Sequence, residues 1–173
     1  MKKVAVLSMT FLFAVSMVMG QATKKATVPL KKLAGKDINI VSKNNFNSEF
    51  GNITNVKWEK SAYFDEATFT KNGKEMKAFF DDEGNFVGTT SHVTFADIPA
   101  NGQKEIKSKY KDYSINPVIV FFDDNEKVDT DMILYGTQFE DADNYFVELS
   151  KGTKKIVLQV NPEGMVNYFT EIK

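Results

Sequence analysis

The 173-residue chain contains no cysteine and no arginine, and it has one histidine, one tryptophan and four prolines. Without cysteine there is no disulfide framework, no thiol nucleophile and no cysteine-ligated zinc site, and a lipid-modified cysteine at an export cleavage site is excluded too. Without arginine no guanidinium fork can grip a phosphate or carboxylate by two parallel hydrogen bonds. A serine triad would have to use His92 as its base, and no G-x-S-x-G elbow accompanies it. A glycine-rich phosphate loop is missing as well.

Long apolar runs are scarce after the first residues. Lys2 and Lys3 precede an apolar stretch from Val4 to Met19, interrupted by Ser8, Thr10 and Ser16, and small residues follow at Gly20 and Ala22. This reads as a cleaved signal peptide over residues 1–22, too short and too interrupted for a spanning helix. The expected location is periplasmic or extracellular, with no stable membrane insertion after cleavage. Without Lys2 and Lys3 the balance is 20 basic to 23 acidic residues, a net charge of −3. Such a balance gives no general attraction to nucleic acid or anionic lipid. Residues 23–37 carry Lys24, Lys25, Lys31, Lys32 and Lys36 with Pro29 and Gly35, and read as a basic, flexible arm.

What the chain does have is a repeat. Thirty residues from Phe64 to Val93 align without a gap on Asn144 to Lys173, eighty positions later. Identities are few (Lys71/Lys151, Lys74/Lys154, Glu83/Glu163, Gly84/Gly164, Thr90/Thr170), but the apolar positions coincide: Ala67/Val147, Phe69/Leu149, Met76/Ile156, Ala78/Leu158, Phe80/Val160. Each unit reads as three strands, with Lys-Asn-Gly and Asp-Glu-Gly-Asn turns in the first, and a strand at about 56–59 around Trp58 makes a fourth. A short helical pattern precedes each unit: Phe46 and Phe50 with Ser42 as N-cap and Gly51 as stop, then Ile106 and Tyr110 with Pro99 near the start. The expected architecture is α+β, a tandem repeat of one helix on a four-stranded antiparallel sheet, over residues 38–173 in units of about 38–97 and 98–173. The helices are sixty rather than eighty apart, so some twenty residues are inserted within Ile115–Phe139, where VIVFF and MILY read as the two arms of a lengthened hairpin around a charged turn.

Several segments together are familiar: Trp58, the run Lys71-Asn72-Gly73-Lys74 through Asp81-Asp82-Glu83-Gly84, Ile98-Pro99, and Lys109-Tyr110 with Tyr113-Ser114-Ile115. Over about residues 44–173 the chain resembles the β-lactamase-inhibitor-like, PepSY-like domain family, small exported proteins largely of Bacteroidetes-type bacteria. The resemblance implies a tandem α/β fold like that of β-lactamase inhibitory protein, with a concave sheet face as the interaction surface. No inhibitory-loop residue of that protein maps onto a position here, so inhibition of a β-lactamase is not implied. Gly88-Thr89-Thr90 stands where the family has a bulkier strand.

Strand alternation adds an expectation of its own. If Met76, Ala78 and Phe80 meet a helix, Lys77 and Phe79 face the other way, and by the same rule so do Phe64, Phe146, Gln159 and Phe169. Tyr63, Tyr168, Ile172 and, by alignment, His92 are placed inward, His92 as a packed structural histidine. Phe64, Lys77, Phe79, Phe146, Gln159 and Phe169 thus form an exposed candidate surface for an exported protein or peptide partner, with homodimer packing as its alternative. Substituting Phe79 and Phe169 by polar residues is then expected to leave the melting temperature unchanged. No cofactor, metal site or catalytic residue is assigned. The acidic residues Asp81, Asp82, Asp123, Asp124, Glu126, Asp129 and Asp131 read as turn formers, without the spacing or central glycine of a calcium loop. A non-enzymatic binding module, with inhibition of a hydrolase as its narrower form, is the leading expectation. A hydrolase using the turn carboxylates and a self-assembling protein are the alternatives.

Overall fold

The structure, a computed structural model, describes residues 30–123, 131–140 and 142–172. The expected signal segment, residues 23–29 of the basic arm, and Asp124, Glu126 and Asp129 of the acidic turn lie outside the described residues. Helix α1 (Ile40–Phe50) is followed by β1 (Lys57–Lys60), β2 (Asp65–Lys71), β3 (Lys74–Phe80) and β4 (Phe86–Val93). A short 3-10 turn leads into α2 (Ala100–Lys109), then β5 (Ser114–Phe122), β6 (Met132–Leu134), β7 (Thr137–Phe139), β8 (Asn144–Lys151), β9 (Lys154–Val160) and β10 (Val166–Ile172). Eight strands form one antiparallel sheet in the order β1-β2-β3-β4-β5-β8-β9-β10, and β6 and β7 pair separately. The class is α+β, as expected. In place of two sheets there is one, because β4 pairs with β5 from Thr89↔Phe122 to Val93↔Val118. Among the described residues no helix is long and apolar enough to cross a membrane.

Both helices lie on the same side of this sheet. A helix of three turns with few apolar residues does not hold by itself, so each is fixed by what it buries. Phe46 of α1 sits 5.0 Å, ring to ring, from Phe69 and 5.5 Å from Trp58, over Ala67, Ala78 and Phe80. Ile106 of α2 is buried over Val118, Val147, Leu149 and Leu158. The N-cap of α1 is Asn39, whose side chain accepts from the Val41 N–H, while Gly51 ends the helix at φ 79°. Ser42, expected as the cap, is instead buried and donates to Asp65.

The glycines shared by the two sequence units seat the helices on the β3–β4 and β9–β10 turns. Asn45 donates to the Gly84 carbonyl and Asn101 to the Glu163 carbonyl beside Gly164. A Cβ on Gly84 would come within 2.8 Å of the Ser42 backbone, and both glycines have left-handed φ, +85° and +80°. In these turns Asp81 and Asn161 play the same part: the Asp81 carboxylate accepts from the Asn85 N–H and the Asn161 carbonyl oxygen of the side chain from the Met165 N–H.

Three expectations change. VIVFF and MILY do not pair with each other: β5 is taken by β4 and β8, and β6 folds back on β7 through the two-residue turn Tyr135-Gly136. Both turn residues have positive φ, 52° and 73°, which suits the twist of a tight hairpin. Second, strand parity does not run unbroken through the units. A register shift lies between Phe86 and Gly88 in β4 and another between Tyr168 and Thr170 in β10, and each extra residue flips the side chains beyond it. His92 and Ile172 therefore leave the helix side; Ile172 packs with Phe169, as does Tyr63 with Phe64, in the cluster on the opposite face. Third, the end of the basic arm is docked: Leu30 packs on that same cluster, the Leu33 N–H donates to the Ala62 carbonyl, and Lys31 pairs with Asp82.

Candidate functional site

The sheet face turned away from the helices divides into two unlike halves. Across β5, β8 and β9 it is apolar, with Phe121, Phe146 and Val157. Across β1 to β4 it carries the polar Glu66, Thr68, Lys77, Thr90 and His92, together with the buried Phe79 and Val87. The β6–β7 hairpin lies on the apolar half and buries Met132 and Phe139 there. Phe139 is 4.9 Å from the Phe146 ring and 5.8 Å from that of Phe169, which in turn stands 4.9 Å from Phe146.

The six residues expected at an exposed surface do share the face away from the helices, but the structure does not leave them in one exposed patch. Phe64, Phe79 and Phe146 are buried, at 3%, 5% and 0% exposure, and Phe169 is partly buried. The inserted hairpin and Leu30 cover them, since four aromatics on one face are too costly to leave in water when apolar residues of the same chain can reach them. The expectation that polar substitutions at Phe79 and Phe169 spare the fold is corrected for the same reason. Gln159 lies beyond the hairpin, in a shallow depression with Asn144, Asn161 and Asn167. Lys77, half-buried like Gln159, stays within reach of solvent on the other half of the face, beside Phe79.

Lys77 lies in a groove of about 310 Å³ formed where the hairpin stops short of β1 to β4. Register fixes its floor: Thr68, Lys77 and Thr90 stand side by side on β2, β3 and β4. Glu66 reaches diagonally to Lys77, its carboxylate 2.7 Å from the ammonium. Ile119 closes the inner end, and Ile133, Leu134 and Tyr135 of the hairpin form the wall. His92, expected as a packed core residue, is exposed at the groove beside Ile119, to which it is paired across β4 and β5. Among the described residues the side chains of Thr68, Glu75, Thr90 and His92 make no hydrogen bond or ion pair. The floor therefore offers free donors and acceptors next to an apolar wall.

A polar contact pins the wall to the sheet. The Tyr135 hydroxyl donates to the Glu148 carboxylate at 2.9 Å. Burial pushes the Tyr135 phenol well above its ordinary range, and the adjacent carboxylate pushes it further. Gly88 explains the thin strand where a bulkier one was expected: a Cβ there would stand 2.7 Å from the Phe121 ring and 2.5 Å from the Phe122 carbonyl. Its absence lets Phe121 lie down across β4 at the border of the two halves.

Among the described turn carboxylates that could carry hydrolysis, Asp81, Asp82 and Asp131 have structural partners. Asp81 accepts from the N–H groups of Glu83 and Asn85 and from the Asn85 amide. Asp131 accepts from the Gln138 amide, and Asp143 accepts from the Asp123 N–H. Among the described residues no three His, Asp or Glu side chains gather as metal ligands. A sequence signal for the groove did exist: Glu66, Thr68, Lys77 and Thr90 are polar at alternating positions, which marks a strand face not closed by core.

No family model matches the sequence, and no curated protein matches it. Solved structures do. A BLIP-like protein from Bacteroides fragilis is similar at 17% identity and a TM-score of 0.61, covering 80% of this chain and 89% of its own. A DUF2874 family protein from Bacteroides uniformis is 14% identical at a TM-score of 0.63, covering 79% and 91%. A third, classed as a candidate periplasmic protein, from Bacteroides eggerthii, is 13% identical at 0.62, covering 79% and 90%. The chain has the BLIP-like fold, in line with the resemblance carried by its motifs.

Proposed function

We propose that this chain is an exported, non-enzymatic binding module that holds a protein or peptide in the groove between the β6–β7 hairpin and strands β2 to β4. The observation that carries the reading is the contrast on one sheet face. The chain closes the apolar half with its own hairpin and leaves, next to the closure, the side chains of Thr68, Glu75, Thr90 and His92 without partners among the described residues. A sheet floor with regularly spaced side chains and one apolar wall suits an extended segment, which presents alternate side chains to floor and solvent.

Two similar units, each a helix followed by four strands, make the scaffold a duplicated one in this reading, and the inserted hairpin is what makes the two halves of the face unlike. Export to the periplasm or beyond follows from the N-terminal segment, and inhibition of a hydrolase is the narrower form of the same binding role. The three donors on Asp81 support a role without catalysis for it, because a carboxylate tied into a turn in this way is a poor base.

Selection of a displayed random-peptide library on the immobilised chain tests the proposal, with Thr90→Trp, which fills the groove, as counter-target. Enrichment of peptides that fail on the filled variant supports it. Enrichment that is indifferent to Thr90→Trp moves the site elsewhere, and turnover of a glycosidic or ester substrate lost on Asp81→Asn replaces binding by hydrolysis.

A further inference from the structure

The groove has an uncompensated negative charge. Glu66 and Lys77 neutralise each other at 2.7 Å, and the nearby Lys57 is taken by Glu59 at 2.8 Å, which leaves Glu75 at the mouth without an ion-pair partner among the described residues. Behind the wall the Glu148 carboxylate, held by Tyr135, adds to the negative potential. The opposite wall is aliphatic, from Ile133 and Leu134. A volume near 310 Å³ lies at the low end for ligand pockets, room for a side chain with its immediate neighbours rather than for a whole cofactor.

Resting on the peptide-groove reading, we infer that the partner segment places a basic side chain, lysine or arginine, in this groove. Its charged end meets Glu75 and the free oxygen of Glu66, and its methylene stem lies along Ile133 and Leu134. Long basic side chains suit a site with an apolar wall and an acidic mouth because stem and head have opposite preferences. Thr68 and Thr90 serve the flanking backbone as hydroxyl donors and acceptors.

The test is a titration of the ¹⁵N-labelled chain, followed by amide shifts, at pH 8, above the ordinary imidazole range. The probes are Ac-Ala-Ile-Lys-Thr-Ala-NH₂ and its Arg, Gln and Glu counterparts. The Lys and Arg peptides are expected to move the amides of Thr68, Thr90 and Ile119. The Gln peptide is expected to bind about three- to fivefold more weakly, the range of a partly exposed ion pair, and the Glu peptide more weakly still. Glu75→Gln, whose side chain supports nothing in the fold, should remove most of the Lys-over-Gln preference without shifting the melting temperature.

Equal binding of the Lys and Gln peptides at the groove overturns this inference and leaves the groove reading standing. Failure of every peptide to move the groove amides overturns both. A Lys24→Gln/Lys25→Gln variant that moves the groove amides with no peptide present would assign the acidic mouth to the chain's own basic segment, and the inference of a partner residue falls.

Discussion

Phe146 separates two pictures of the face opposite the helices. If that face were open, truncating an exposed ring would change stability by little more than about 0.5 kcal/mol. In the structure Phe146 is fully buried between the sheet and the hairpin, with the Phe139 and Phe169 rings each 4.9 Å away. Phe146→Ala should then cost about 3–5 kcal/mol, the usual loss for a buried phenylalanine whose cavity cannot collapse. For a domain of this size, that is a fall in Tm of roughly 6–20 °C.

The sharper measurement is a double-mutant cycle. Phe139 belongs to the hairpin and Phe146 to the sheet, so Phe139→Ala, Phe146→Ala and the pair, followed by urea unfolding, isolate the contact between the two. An edge-to-face pair at this distance should give a coupling of about 0.5–1.5 kcal/mol beyond area burial. The m-values should stay near that of the wild type, since the surface exposed on unfolding is nearly the same. A single-mutant loss below about 1 kcal/mol, or a cycle that closes within about 0.3 kcal/mol, would show that the hairpin does not lie on the sheet. The groove would then have no wall.

Asp65 is fully buried at the start of β2, where its carboxylate accepts from the Asn39 N–H and the Ser42 hydroxyl, with Oδ1 2.9 Å from the Lys60 ammonium as an ion pair rather than a well-directed hydrogen bond. Asp65→Ala should destabilise by about 3–5 kcal/mol in a chemical melt, and adding Lys60→Met should recover part of it, because the stranded ammonium is then gone. Gly84→Ala should cost about 1 kcal/mol more than Gly164→Ala, since the new methyl meets backbone at Ser42 in one case and the flexible Asn101 side chain in the other. Tyr135→Phe should loosen the hairpin by about 1 kcal/mol. The Tyr135 phenol is raised in the folded state, so its contribution is complete below the ordinary value near 10 and is lost as pH rises through the folded value. The variant should therefore show a flatter decline of stability above pH 10 than the wild type.

The order of helices and strands is legible because local signals agree with one another: Asn72-Gly73 closes a hairpin, Gly51 ends a helix, and Gly84 and Gly164 recur where helices touch turns. The side of each aromatic is legible too, since Phe64, Phe79, Phe146 and Phe169 all lie opposite the helices as alternation requires. Exposure is another matter. Alternation assigns a side and says nothing of what covers it, and the cover here comes from an insertion with no counterpart in the other unit. A hint of double burial stands in Val118–Phe122, where apolar residues run without alternation, the mark of a strand packed on both faces. His92 fails for a different reason. One extra residue near Gly88 reverses every side chain after it, and a gapless alignment on β10 conceals this because β10 has a shift of its own two residues further along. The same bulge that misleads the alignment turns His92 and Thr90 toward the groove, so the irregularity in the strand is also what furnishes the site.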